Sequence, residues 1–228
     1  MRATPCDPAG PQPARRRWLQ RALALAGAAA TGAPWQAHAA DAMLAATPPV
    51  ALGPFYPPKL PADSDADLTQ VAGRVPRAAG TLLYVTGRIV DTKGRPLPGA
   101  AIELWQANAF GRYLHPADTD ASGPLDPGFQ GYGRLVADAD GRYRIKTIKP
   151  PPYSSRTPHV HFIVAAGGAR LTTQMFFEGE AMNERDGLYR YLDRDGRRSA
   201  TGRFVDRAPG MEPDALAASW DIVLRASF

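Results

Sequence analysis

Two of the chain's four histidines stand at i and i+2 in the segment "PPPYSSRTPHVHF", residues 150–162, with Tyr153 and Arg156 just ahead of them. Side chains at i and i+2 of a strand share a face, so His159 and His161 in an extended segment can present both imidazoles to one metal ion. An HxH pair in an arbitrary strand can equally place one ring in the core and the other at a turn, and the motif alone leaves both readings open. The single cysteine is Cys6 and there is no HExxH, so a structural or peptidase-type zinc site has little to build with. Tyr113 and Tyr153, both in loop-like sequence, add phenolates, which with imidazole suit a harder, redox-active ion.

These groups must be held by a frame, and the frame reads as mainly β. Short runs rich in β-branched and aromatic residues, "LLYVTGRIV", "AAIELWQ", "GRLVAD", "RYRIKTI", "HVHFIVA", "LTTQMFF" and "WDIVLRA", are separated by Gly, Asp and Pro turn signals. Seven such strands at this spacing predict an antiparallel β-sandwich whose long loops carry the metal site. "NERDGLYRYLD" is the expected short helix, and "NAFGRYLHPADTDASGPLDPGFQGY" an ordered loop. Loops longer than about 15 residues inside a domain are usually functional.

The N-terminus divides off by composition. Arg15, Arg16 and Arg17 precede Trp18, an alanine-rich run and "AHAA", a pattern that resembles a twin-arginine export signal over residues 1–39. The apolar run falls short of the roughly 20 residues that span a bilayer, so no membrane span is expected after cleavage. Loss of 1–39 removes Cys6, His38 and most of the basic excess, leaving 22 basic and 21 acidic residues, a net charge of +1. The basic balance therefore gives no argument for a nucleic-acid partner. The mature protein is expected to be periplasmic or secreted, with three histidines: His115, His159 and His161. Residues 40–80 are Pro-rich and aperiodic, an extended arm; residues 81–228 form the expected β domain.

Together "VTGRIVDTKGRPLPGAAIELWQANAFGRYLHPADT", "LDPGFQGYGRLVADADGRYRIKTIKPPPY", "RTPHVHF", "TTQMFFEGE" and "WDIVLRA", in that order, resemble the intradiol ring-cleavage dioxygenases, most nearly the protocatechuate 3,4-dioxygenase-like branch. "GPFY" at 53–56 resembles that family's N-terminal arm motif. The resemblance implies a non-haem Fe(III) held by Tyr113 of "GRYLH", Tyr153 of "KPPPY", and His159 and His161 of "HVH". It implies O2-dependent opening of a catechol-type ring between its two hydroxyl-bearing carbons to a cis,cis-muconate, in aromatic compound catabolism. Tyr153 is implied as the displaceable ligand and base, Arg156 as the cation over the ring, and Gln174 as a polar group near substrate and oxygen.

Some features depart from the pattern. Only "SSRTP" separates Tyr153 from His159, where protocatechuate enzymes carry a longer pocket-forming loop. The helical N-terminal domain of catechol 1,2-dioxygenases has no counterpart in residues 40–80. All four expected ligands lie in this chain, which suits action alone or as a homo-oligomer. A carboxylate-bearing substrate would want a partner such as Arg112, Arg134 or the arm near Tyr56. Two other classes compete with the dioxygenase: a β-sandwich binding or scaffold module without catalysis, and a metallo-hydrolase using His159 and His161 with zinc or copper.

Overall fold

The computed structural model describes residues 43–119 and 123–225; the export signal expected over 1–39 lies outside them. In chain order the elements are β1 (Leu82–Asp91), β2 (Ala101–Trp105), β3 (Tyr132–Val136), β4 (Arg142–Ile148), β5 (His159–Ala166) and β6 (Ala169–Phe177). A 3-10 turn (Asn183–Arg185), α1 (Gly187–Tyr191), α2 (Arg194–Ser199), β7 (Thr201–Phe204), β8 (Leu216–Ser219) and β9 (Ile222–Leu224) follow. The protein is mainly β, as its sequence predicts. All seven expected strands form.

Their pairing is only partly antiparallel. Hydrogen bonds link the strands in the order β3-β2-β5-β6-β7-β8-β1-β4, with β9 also on β1. The β1–β8, β1–β9 and β6–β7 contacts are parallel. The parallel step from β6 to β7 needs a crossover, and the segment containing α1 and α2 supplies it. That segment is not the single helix expected over 183–193. Asp186 accepts the Leu188 and Tyr189 N–H groups and starts α1, Leu192 leaves it in extended conformation, and Asp193 caps α2 through Gly196 N.

Period-two alternation assigns the faces of β5. Val160, Phe162 and Val164 enter the main core with Ile89, Ile145, Leu104 and Met175. His159, His161 and Ile163 point the other way, and Ile163 packs there with Trp105, Tyr113 and Tyr132. Truncating the fully buried Phe162 to alanine would cost about 3–5 kcal/mol, which measures how firmly the histidine strand is anchored. In register, Trp105, His161 and Gln174 form one row across β2, β5 and β6.

The arm covers what this sheet leaves open. Val50 N–H donates to Thr172 O (3.0 Å), Thr173 Oγ1 to Pro48 O (2.8 Å) and Gln174 Nε2 to Ala51 O (2.8 Å), so residues 48–51 run along the edge of β6. Further on, Leu68 bonds Lys146 O and is buried in the main core. Among the described residues no helix is long and apolar enough to cross a membrane.

Candidate metal centre

His159 and His161 sit side by side on β5, as the i, i+2 spacing requires, and two loops bring tyrosines to them. Tyr113 follows the Asn108–Arg112 turn, in which Asn108 Oδ1 accepts the Phe110 and Arg112 N–H groups, and its own N–H donates to Asp118 Oδ2 (2.7 Å). Tyr153 opens a tight turn that ends at Arg156. Gly111, at φ +78°, lies against it: a Cβ there would stand 3.1 Å from Tyr153 Cβ.

The four donor atoms converge. Tyr113 Oη is 3.1 Å from His161 Nε2, 3.4 Å from His159 Nε2 and 3.2 Å from Tyr153 Oη. Tyr153 Oη is 3.4 Å from His159 Nε2, and the two Nε2 atoms are 3.2 Å apart. Donors about 2.0–2.1 Å from a shared ion stand roughly 3.3 Å apart on a tetrahedron, so the spacing matches a metal coordination sphere. Protonation points the same way. His159 Nδ1–H donates to Thr157 O (2.6 Å), and a carbonyl only accepts, so in the neutral ring Nε2 carries a lone pair facing the other donors. His161 is fixed by stacking on Trp105, with centroids 4.8 Å apart at 13°, and by Gly53 on another side.

Electrostatics complete the fit. Burial, then the Arg156 charge, lowers His159 to about 4. His161 is pushed well below the usual range by burial, then by His159 and Arg156. Both imidazoles are therefore neutral at pH 7, the form that ligates metal. Burial, then the neighbouring Tyr153, holds the Tyr113 phenol well above its ordinary value, and burial chiefly raises Tyr153. Two phenols kept protonated by their surroundings become phenolates when a multivalent cation inverts that balance. No cluster of three or more His, Cys, Asp or Glu side chains occurs among the described residues. The donor set is two tyrosines and two histidines, and it fits a hard trivalent ion.

Arg156 and Gln174 join this group. Arg156 Nη2 donates to Gln174 Oε1 (2.6 Å) and its Nε to Asp186 Oδ2 (2.8 Å). Gln174 is fully buried and tied at its other end to the arm, so it links the arm to Arg156. The remaining candidates flank the cluster, Tyr56 packing edge-on against Trp105 with centroids 5.1 Å apart. Tyr56 donates its hydroxyl to Glu103 (2.6 Å), Arg112 reaches Gly123 O (3.3 Å), and Arg134 is exposed on β3. Asp186, Trp105 and Gly53 carry no metal-ligand or catalytic motif in the sequence. The signals that point to them are Gly53 at the head of "GPFY" and an aspartate directly ahead of "GLYRY", a helix-cap pattern.

Comparison with known proteins identifies the family. A family model described as Dioxygenase matches residues 51–226. The protocatechuate 3,4-dioxygenase beta chain of Burkholderia cepacia is 40% identical over 171 residues, 71% of this chain and 72% of that one. Catechol 1,2-dioxygenase of Acinetobacter baylyi is 32% identical over 193 residues, which span 76% of this chain but 57% of that enzyme. Among solved structures, the dioxygenase domain of a carbohydrate-binding fusion from Streptomyces sp. SirexAA-E superposes with TM-score 0.59 at 28% identity, covering 80% of this chain and all (100%) of that one. An intradiol ring-cleavage dioxygenase from Tetranychus urticae shares the fold, with TM-score 0.60 at 22% identity over 79% of this chain and 94% of that one. The chain belongs to the intradiol ring-cleavage dioxygenase family, in its protocatechuate 3,4-dioxygenase-like branch.

Proposed function

We propose that the protein is a non-haem Fe(III) intradiol dioxygenase that opens a catechol-type ring between its two hydroxyl-bearing carbons with O2, giving a cis,cis-muconate-type dicarboxylate. The convergence of Tyr113 Oη, Tyr153 Oη, His159 Nε2 and His161 Nε2, linked by five separations of 3.1–3.4 Å, carries this reading. Ferric iron, when bound, supplies a hard Lewis acid for the two catechol oxygens and the electron exchange between ring and O2.

The chain's own residues divide the remaining work. Tyr113 is buried, whereas Tyr153 is only half-buried at the start of a surface turn. Tyr153 is therefore the phenolate with room to withdraw, and its Oη takes up a catechol proton as it does so. Arg156, with Nε and one Nη engaged, keeps its other Nη for the ring and stabilises negative charge that develops there. Phe55 lies on Tyr113, with centroids 4.8 Å apart, and Trp105 on His161, so both ligands on that side are shielded from water. The sequence of residues 1–39 supports export to the periplasm or beyond, and the complete ligand set supports action alone or as a homo-oligomer.

The test is the visible spectrum of the purified protein, with iron quantified, before and after anaerobic addition of catechol, protocatechuate and hydroxyquinol. A tyrosinate-to-iron charge-transfer band that moves to longer wavelength with one of the three is expected, and Tyr153→Phe should weaken it together with cleavage. A protein that stays colourless after ferric loading would sink the reading and restore the scaffold module or a hydrolytic metal.

A further inference from the structure

Arg156 stands at the end of a surface turn, yet its side chain is only 19% exposed, and besides Gln174 it is restrained by a carboxylate from 30 residues further on. Asp186 is completely buried. Its Oδ2 accepts Arg156 Nε–H (2.8 Å) and Thr157 N–H (3.0 Å); its Oδ1 accepts Leu188 N–H (2.8 Å) and Tyr189 N–H (3.2 Å). The Thr157 carbonyl in turn holds His159 Nδ1–H, and the Thr157 hydroxyl donates to Asn183 Oδ1 (2.8 Å). Helix capping needs one side-chain oxygen and no buried ion pair. Burying an arginine–carboxylate pair carries a desolvation cost that apolar packing would avoid. The second oxygen therefore calls for a role besides starting α1.

We propose that Asp186 is the positioning residue for Arg156: it fixes the guanidinium beside the donor cluster, at the height where charge develops on a bound ring. The proposal rests on the dioxygenase reading. It also accounts for the short "SSRTP" segment, too small to brace an arginine by itself, since the brace arrives from the β6–β7 crossover instead.

Asp186→Asn keeps an oxygen for the helix cap but turns N–H groups toward two N–H donors. It should lower kcat about 10–100-fold, with iron content and anaerobic catechol affinity held within about threefold. In an Arg156→Met background the same change should cost less than about threefold, because the group it acts through is gone. Equal losses in both backgrounds would overturn the proposal. Should Asp186→Asn fail to fold, the wild type decides. In the metal-free full chain the Arg156 Nε–H signal, identified by its loss in Arg156→Met, should exchange far more slowly than those of exposed arginines. Fast exchange overturns the clamp. This measurement involves neither iron nor O2, so a failed clamp is distinguishable from a failed dioxygenase reading, which would show as a colourless wild type.

Discussion

Tyr153 and Arg156 close one two-residue hairpin: Arg156 N–H donates to the Tyr153 carbonyl at 2.9 Å, and Tyr153 N–H to the Arg156 carbonyl at 3.3 Å. The proposed displaceable phenolate and the guanidinium proposed to face the ring are thus the two ends of a single turn. Withdrawal of Tyr153 must either carry the turn with it or rotate about its own side-chain bonds. Asp186 and Gln174 hold the arginine end, which favours side-chain rotation.

Ser154, inside this hairpin, has φ +49°, a left-handed conformation that costs a non-glycine residue about 1–2 kcal/mol. Ser154→Gly removes that cost and adds about 0.5–1 kcal/mol of backbone entropy loss on folding, so its urea midpoint should equal or slightly exceed the wild type. Ser154→Val, with a β-branched side chain, should lower stability by about 1–3 kcal/mol and perturb the tyrosinate band. Identical midpoints for the two variants would show that the turn does not depend on this conformation.

Gly53 lies at φ +77°, and a Cβ added there would stand 3.0 Å from His161 Cε1. The imidazole has little room to yield, because Trp105 is stacked on it. Gly53→Ala should therefore displace a proposed ligand without removing any donor, weakening iron retention against a chelator about 10–100-fold in a folded protein. Unchanged retention would show that the arm is not a wall of the site.

What the sequence made legible depends on the range of the forces involved. The faces of β5 follow from local alternation, so the shared direction of His159 and His161 could be read directly. "TGRF" and "LAAS", the strands β7 and β8, contain no run of β-branched residues; pairing with β6, with each other and with β1 makes them strands. "RDGRRS" looks like a solvated charge run, and its helical state comes from the Asp193 cap. Tyr113 and Tyr153 could be assigned through motif order, but their 3.2 Å approach is created by two loops 40 residues apart. The Asp186–Arg156 pair has no local signature.

Gly87 on β1 lies directly against the Trp220 carbonyl, leaving no space for a Cβ. That carbonyl also accepts the buried Tyr143 hydroxyl (2.6 Å), and Trp220 N–H donates to Thr86 O (2.9 Å). Gly87→Ala should separate β1 from the β8–β9 connection and cost about 3 kcal/mol, against about 1–3 kcal/mol for Tyr143→Phe. Denaturant unfolding measures both, and a Gly87→Ala loss below about 1 kcal/mol would mean that the strands shift apart freely.

Glu212 gathers Lys146 Nζ (2.6 Å), the Tyr84 hydroxyl (2.5 Å) and Arg77 Nη2 (3.3 Å), joining the 205–215 loop to β1 and β4. The hydrogen bonds from Lys146 and then Tyr84 pull its carboxyl from an ordinary 4.5 down to about 2. The folded state therefore holds the proton less tightly than the unfolded chain. Its stabilisation is complete above pH 4.5 and is lost as the pH falls towards 2. Glu212→Gln should accordingly melt below the wild type at pH 6–7, and the gap should close steadily on acidification. Salt should narrow the gap as well, since these groups are partly exposed. Melting curves of both proteins across the acid range check this, and a gap independent of pH would mean that the carboxylate's charge contributes nothing to holding the loop.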